Sequence, residues 1–271
     1  MRTMCAAAVR LGAGFSRIPQ STACMRLFCI PFAVMAAPVA LSAQTVAPSQ
    51  ALPVRQQVIE LQKGWNAVWL EVQPVEANAD KLFAGTGVEI CARYVRPVTP
   101  QQFIKSPAER PFNEPGWGVW YASGREEAVV RTMETIDGSA GYLVFAKEAQ
   151  RWTVTGTVKF KPVEWRHGAF TMAGFSVDEK APPQFREFFA GARGKVGTRI
   201  YRLVNGRWQR VEDTALMKSG EACWIYAEGD SHYQGPLTVR VDGGVVDFGT
   251  TTGTITLAPE NSSGGAQTAV A

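Results

Sequence analysis

The chain has 271 residues, 46% of them apolar and 10% aromatic, which is enough to bury a substantial core and too apolar for an intrinsically disordered protein. Its formal charge of +4 comes from 28 basic and 24 acidic side chains, and the whole excess is Arg2, Arg10, Arg17 and Arg26, all of which precede the first acid, Glu60. The rest of the chain is balanced, which excludes the electrostatic footprint of a nucleic-acid-binding protein.

Residues 1–43 place those arginines ahead of an apolar run, Leu27 to Leu41, that ends in Leu41-Ser-Ala43. A basic start, a short apolar stretch and small residues at a cleavage point define a cleavable secretory leader. The run is short and is interrupted by Pro31 and Pro38, so no transmembrane segment is expected once the leader is removed. Export to a bacterial surface or medium, with cleavage after Ala43, is the expectation. An acid-poor transit peptide is the rival reading, and Met25 offers a second start. Cys5, Cys24 and Cys29 leave with the leader. Cys91 and Cys223 stay, either as two buried thiols or as a disulfide that export permits.

Residues 44–57 read as a small, proline-containing linker. A first β module then spans 58–162. Its opening strand starts at Val58, and Gly64-Trp-Asn66 turns the chain into a strand from Ala67 to Val72. Asn78 caps a short helical turn that ends at Gly85, with Leu82 and Phe83 toward the core. Val88 to Val95 is a further strand. An insertion of about 20 residues follows, Arg96 to Pro115, a length that is uncommon in compact domains unless the loop is functional or mobile. Arg125 to Ile136 carries good helix formers. Arg151 to Phe160 alternates, with Trp152, Val154, Val158 and Phe160 on one face and Thr153, Thr155, Thr157 and Lys159 on the other, as a half-buried antiparallel strand does.

A second module, 163–241, runs through the same blocks in the same order. Trp65-Asn-Ala-Val-Trp-Leu-Glu-Val72 is echoed by Phe170-Thr-Met-Ala-Gly-Phe-Ser-Val177, and Leu82-Phe-Ala-Gly85 by Phe188-Phe-Ala-Gly191. Gly141 to Ala146 returns as Ala222 to Ala227, and Trp152 is answered by Tyr233. Such self-similarity indicates a duplicated unit. In Pro182 to Gly191, Phe185, Phe188 and Phe189 lie at i, i+3 and i+4 between proline and glycine, the pattern of a short amphipathic helix. Asn205-Gly206 demands a tight hairpin that sets Leu203 opposite Trp208, Tyr201 opposite Arg210 and Ile200 opposite Val211. Residues 242–271 read as an incomplete third strand pair followed by a disordered tail past Pro259.

The predicted fold is therefore mainly β: two tandem related modules, each a sandwich or small barrel with a short helix. The residues suited to chemistry are sparse. His167 and His232 lack a partner motif. Gly191 to Gly197 lacks the Ser or Thr of a phosphate loop, Asp242-Gly-Gly lacks the spaced acids of a calcium loop, and the adjacent acids Glu126-Glu127 and Glu212-Asp213 diverge. Asn261-Ser-Ser263 fits a glycosylation acceptor. No cofactor, no metal site and no catalytic residue is expected. Trp65, Trp69, Trp152, Trp165, Trp208 and Trp224 read as core. Trp117, Trp120 and Tyr121, together with Phe103 and Phe112, adjoin the long insertion, where exposed rings would stack on sugars or anchor a protein.

At Gly64-Trp-Asn66, the Phe-Ala-Gly blocks and Gly141-Tyr-Leu-Val-Phe145, the chain resembles the paired glycine-Trp-Asn-type β repeats of bacterial exported multidomain proteins. Val246-Asp-Phe-Gly-Thr250 resembles the opening strand of immunoglobulin-like repeats of the abnormal-spindle and hydin type. The second module departs from the first pattern, with Phe170-Thr171 where Trp-Asn would stand. The resemblance implies a structural or adhesive role at the cell surface, with an extracellular protein or polysaccharide as partner. A carbohydrate-binding module using Trp117, Trp120 and Tyr121 is the alternative, and a hydrolase fragment would need a cleft with convergent titratable groups.

Overall fold

The computed structural model describes residues 54–95, 105–110, 112, 114–159, 161–241 and 257–261. The first half contains β1 (Val54–Leu61), β2 (Gly64–Leu70), β3 (Val72–Pro74), α1 (Ala79–Leu82), β4 (Val88–Tyr94), β5 (Trp117–Tyr121), β6 (Ala140–Ala146) and β7 (Gln150–Val158). Two antiparallel sheets result, ordered β1-β7-β3 and β2-β6-β4-β5. β1 begins four residues inside the stretch expected to be linker. The predicted alternation on β7 holds at Trp152 and Val154, which are buried, and at Thr153 and Thr155, which are exposed; Phe160 lies outside the described residues. Ile59, Leu61, Val72, Trp152 and Val154 meet Val68, Leu70, Cys91, Trp120, Tyr142 and Val144 between the two sheets. Both sheets are open, so the sandwich reading holds and the barrel alternative falls.

The chain leaves one sheet at Leu70 and joins the other at Val72, and this switch frees backbone groups that a continuous strand would pair. Buried Gln57 takes them up. Its amide nitrogen donates to the Trp69 carbonyl (2.9 Å) and its amide oxygen accepts from the Glu71 N–H (2.8 Å). Replacing Gln57 with Leu would leave both groups unpaired, for an expected loss of about 2–4 kcal/mol. The loss would be read from the urea midpoint at unchanged slope. A midpoint within error of wild type would show that water satisfies the corner instead.

The second half contains β8 (Ala169–Ala173), α2 (Phe185–Phe188), β9 (Val196–Val204), β10 (Arg207–Val211) and β11 (Cys223–Ala227). Its sheet is ordered β10-β9-β11-β8. Read from the other edge this is β8-β11-β9-β10, the same order as β2-β6-β4-β5 with each strand at its counterpart. The helices correspond too. The residue before each helix, Asn78 or Gln184, makes an isolated bridge to the segment before the last counterpart strand, β6 or β11, at Thr135 or Leu216. The Asn78 side chain accepts from the Lys81 N–H (3.1 Å), while the Glu187 carboxylate accepts from the Gln184 N–H (3.0 Å). Both helices are a single turn, shorter than the sequence suggests, yet Phe185, Phe188 and Phe189 are all buried as expected.

The halves differ where β1 and β7 pair. In the second half this ladder shrinks to one bridge between Trp165 and Ser231. Trp165, Phe175, Phe185, Phe188, Phe189 and Tyr233 close that core with rings instead of strands. The hairpin follows its sequence signature: Asn205 and Gly206 take φ of 49° and 73°, and Leu203 faces Trp208, Tyr201 faces Arg210 and Ile200 faces Val211.

Two expectations are corrected. Residues 125–136 contain only a 3-10 turn, Glu126–Val130. The chain then runs extended, because the N–H groups of Thr132 and Met133 bond the Val119 carbonyl and so cover the open edge of β5. At the other end, β12 (Leu237–Val241) pairs with β13 (Leu257–Asn261). β13 thus runs two residues past Pro259, and 262–271 lie outside the described residues. The Asp242-Gly-Gly turn and the immunoglobulin-like stretch 246–250 lie outside the described residues.

The two halves fall within one compact unit, residues 50–271, and meet through the sheet faces turned away from their own helices. The contacts are reciprocal. Val68 on β2 bridges Glu221 just ahead of β11, and the Ala222 N–H bonds the Ala67 carbonyl (3.0 Å). In return, β6 lies so close to β8 that a Cβ on Gly141 would stand 2.9 Å from the Met172 side chain.

Candidate functional site

The feature that unites the described part of the molecule is an aromatic seam between the halves. Side chains on β5 alternate across the sheet, so Trp117, Val119 and Tyr121 point one way and Trp120 the other. Trp120 enters the first core, with its ring 4.8 Å from Phe83 and its indole N–H on the Asp80 carboxylate (2.8 Å). Arg131 binds the same carboxylate through both oxygens (3.0 Å each). The Trp120 hydrogen bond and then Arg131 hold the Asp80 carboxyl below its usual range. Tyr121 is buried on the opposite face, and burial pushes its phenol up.

The expected aromatic platform on a loop is thus corrected. Trp117, Trp120 and Tyr121 belong to a strand and share no common face, while Phe103 lies outside the described residues. Trp117 is half-buried and joins a continuous run of rings. Its neighbours are Phe112 at 5.5 Å and Tyr94 at 5.3 Å. Phe112 leads on to Trp65 (5.2 Å), and Tyr94 to Trp224 (5.7 Å) and thence Trp208 (6.2 Å). Most of these contacts are edge-to-face, the favoured quadrupole arrangement.

The described residues of the long insertion join this seam. Phe112 sits between Trp65 and Trp117, the Ser106 hydroxyl accepts from the Trp208 backbone N–H (3.4 Å), and Lys105 pairs with Glu114. The insertion therefore ties the first half to the hairpin of the second. Sequence reading missed Tyr94, Trp65, Trp208 and Trp224 as seam members. A signal was present: β2 carries large apolar residues on both faces, Trp65 and Trp69 on one and Val68 and Leu70 on the other, which an antiparallel strand does only when both faces are covered.

A second cluster lies beneath the seam. The Arg202 guanidinium binds the Glu221 carboxylate (2.8 Å) and the Leu216 carbonyl (2.6 Å), and stands 5.7 Å from the Phe185 ring. Burial pushes the Glu221 carboxyl up in spite of Arg202 and Lys218. Glu221, Phe175, Phe185, Met217 and Cys223 line a small crevice beside this pair. The first half has a more exposed counterpart, Arg93 on β4 bound to Asp137 (3.0 Å).

Cys91 and Cys223 form no disulfide with each other. Cys91 points into the first core and Cys223 into the second, with both sheets of the seam between them, and each is a free, buried thiol. Burial pushes the Cys223 thiol up to about 12 and Cys91 higher still. A thiol-specific chromogenic reagent is therefore expected to find no reactive cysteine in the folded mature protein and two on unfolding. Prompt reaction of either thiol in the native state would show that its core opens readily.

Among the described residues no three His, Cys, Asp or Glu side chains converge to hold a metal ion. The His167 backbone N–H, not its ring, bonds Asp230 (2.8 Å). In the glycine-rich turn, the Gly194 carbonyl accepts from the Gly229 N–H (2.9 Å) and Lys195 pairs with Glu228 (3.0 Å). Glu127 is bound by Arg125 at 3.0 Å. No helix of the described residues is long and apolar enough to cross a membrane.

Comparison with protein-family models, curated proteins and solved structures gives no match for this chain.

Proposed function

We propose that this chain is an exported, non-enzymatic structural or adhesive component of a bacterial surface or matrix, built by duplicating one β unit. The observation that carries the reading is the shared strand order of the two four-stranded sheets. The single-turn helix after the first strand of each, the bridges at Asn78 and Gln184, and the pairs Arg93–Asp137 and Arg202–Glu221 support it. The arrangement gives a rigid two-part body. Its buried polar residues, Gln57 and Ser231, bond the backbone, and the partly buried Arg202 and Glu221 bond each other. The balanced charge outside the leader suits an extracellular protein or polysaccharide surface as partner.

Intact producing cells treated with a protease that cannot cross membranes should release peptides from residues 54–241. The mature chain should begin at Gln44, and cells lacking the gene should attach less well to their substratum. Peptides recovered only after lysis, from a chain that retains Met1, would sink the proposal. A purified protein that turned over a small substrate would sink its non-enzymatic part.

A further inference from the structure

Asparagine side chains in the described residues differ sharply in how they are held. The Asn66 carboxamide accepts from the Gln62 N–H (2.8 Å) and donates to the carbonyls of Gln62 (2.8 Å) and Gly64 (3.0 Å). The Asn78 carboxamide is engaged at the start of α1 by the Lys81 N–H (3.1 Å). Each is followed by alanine. Asn205 is exposed at the hairpin tip, its carboxamide has no hydrogen-bond partner among the described residues, and the next residue is Gly206. Glycine has no Cβ to shield its backbone nitrogen from the carboxamide before it.

We propose that Asn205 is a site of spontaneous covalent modification that loosens the contact between the two halves. The Gly206 backbone nitrogen attacks the carboxamide carbon of Asn205, a C–N bond forms, and the side-chain nitrogen leaves as ammonia. Water then opens the five-membered imide at one of its two carbonyls. Opening at the main-chain carbonyl routes the backbone through the side chain and lengthens it by one methylene. Opening at the side-chain carbonyl leaves an ordinary aspartate. One water enters and one ammonia leaves, with no oxidant, reductant or catalyst.

The closed turn opposes this chemistry, because ring closure needs rotation about the Asn205 Cα–C and Cα–Cβ bonds and the two-residue hairpin loop fixes the first of these. The reaction therefore runs through fraying of the hairpin tip, a local opening well short of global unfolding. Its consequence follows from the register. A two-residue loop sets Leu203 opposite Trp208, and both pack into the seam beside Trp65. A longer backbone cannot keep that register. The tip itself is close to the first half, since a Cβ on Gly206 would stand 3.9 Å from the Trp65 ring.

The test is prolonged incubation of the folded mature protein at neutral and mildly alkaline pH, with peptide mapping by mass spectrometry and fragmentation that distinguishes isoaspartate. The peptide containing Asn205 should gain the mass difference between an amide and an acid, faster at alkaline pH and more slowly than in a urea-unfolded control. The peptides containing Asn66 and Asn78 should stay unchanged. An unaltered Asn205 after a time that fully converts the unfolded control would overturn the proposal, as would equal conversion at Asn66. The converted protein should also lose protease resistance around the hairpin, whereas the Asn205→Asp variant, which adds the charge without the extra methylene, should keep it. Equal loss in both would overturn the backbone explanation.

Discussion

Replacing Glu221 with Ala lowers the stability of the folded chain by about 2–3 kcal/mol, because it leaves the largely buried Arg202 guanidinium without the hydrogen bond it makes to that carboxylate. The Arg202 and Glu221 side chains are only 13% and 17% exposed, so water cannot take over the pairing. The counterpart pair sets the scale. Asp137, 47% exposed where it binds Arg93, should cost no more than about 1 kcal/mol when replaced by Ala, as exposed pairs do. The double variant Arg202→Met with Glu221→Leu should recover most of the loss, since the desolvation cost disappears with both charges. Urea denaturation of the four proteins checks this, and a Glu221→Ala midpoint no lower than that of Asp137→Ala would refute the assignment.

The pH dependence has a definite sign. Burial raises the folded-state Glu221 carboxyl above its ordinary value of 4.5, so the folded state binds this proton more tightly than the unfolded state does. The stability this group contributes is complete below pH 4.5 and is lost as pH rises through the raised value. Relative to Glu221→Gln, which has no carboxyl to titrate, wild type should therefore lose stability as pH climbs out of the acid range. The opposite slope would mean that the Arg202 attraction outweighs burial.

Gly174→Ala is expected to cost about 3 kcal/mol or more, at the upper end of overpacking effects. A Cβ there would stand 2.3 Å from the Glu221 carbonyl oxygen and 2.4 Å from the Trp69 Cβ, where β8 ends against the first half. Neither neighbour can rotate away, so the halves must separate. Gly141→Ala is the contrasting case at the same interface. Its nearest neighbour is the Met172 Cγ at 2.9 Å, on a side chain flexible enough to move, and the expected loss is about 1 kcal/mol. Thermal unfolding with tryptophan fluorescence would separate the two, because only Gly174→Ala should red-shift the folded-state emission as seam rings become wet. Equal losses would mean that the sheets adjust as rigid bodies.

Much of this fold is legible in the chain because local rules decide it. Asn205-Gly206 admits one hairpin register, the spacing of Phe185, Phe188 and Phe189 dictates which side of α2 is buried, and Trp152 and Val154 mark the inner face of β7. The repeated blocks align counterpart strands correctly, since the same apolar spacing builds the same sheet. Where expectations failed, a distant partner overrode local preference. Residues 125–136 carry good helix formers, yet after one turn the chain runs extended because β5 offers an unpaired edge. Trp120 looks like a loop aromatic until β5 turns it inward onto Asp80.

The sequence by itself determined the matching order of apolar blocks along the chain, the hairpin and the position of each one-turn helix, because these depend on backbone geometry and on apolar periods only a few residues long. Tertiary structure alone decided that the two units meet face to face, that Phe112 and Tyr94 join tryptophans from both halves, and that Cys91 and Cys223 end in separate cores. Those outcomes depend on which sheet faces lie within a few ångströms of each other, and strand alternation is the same whether a face meets solvent, its own core or a second sheet.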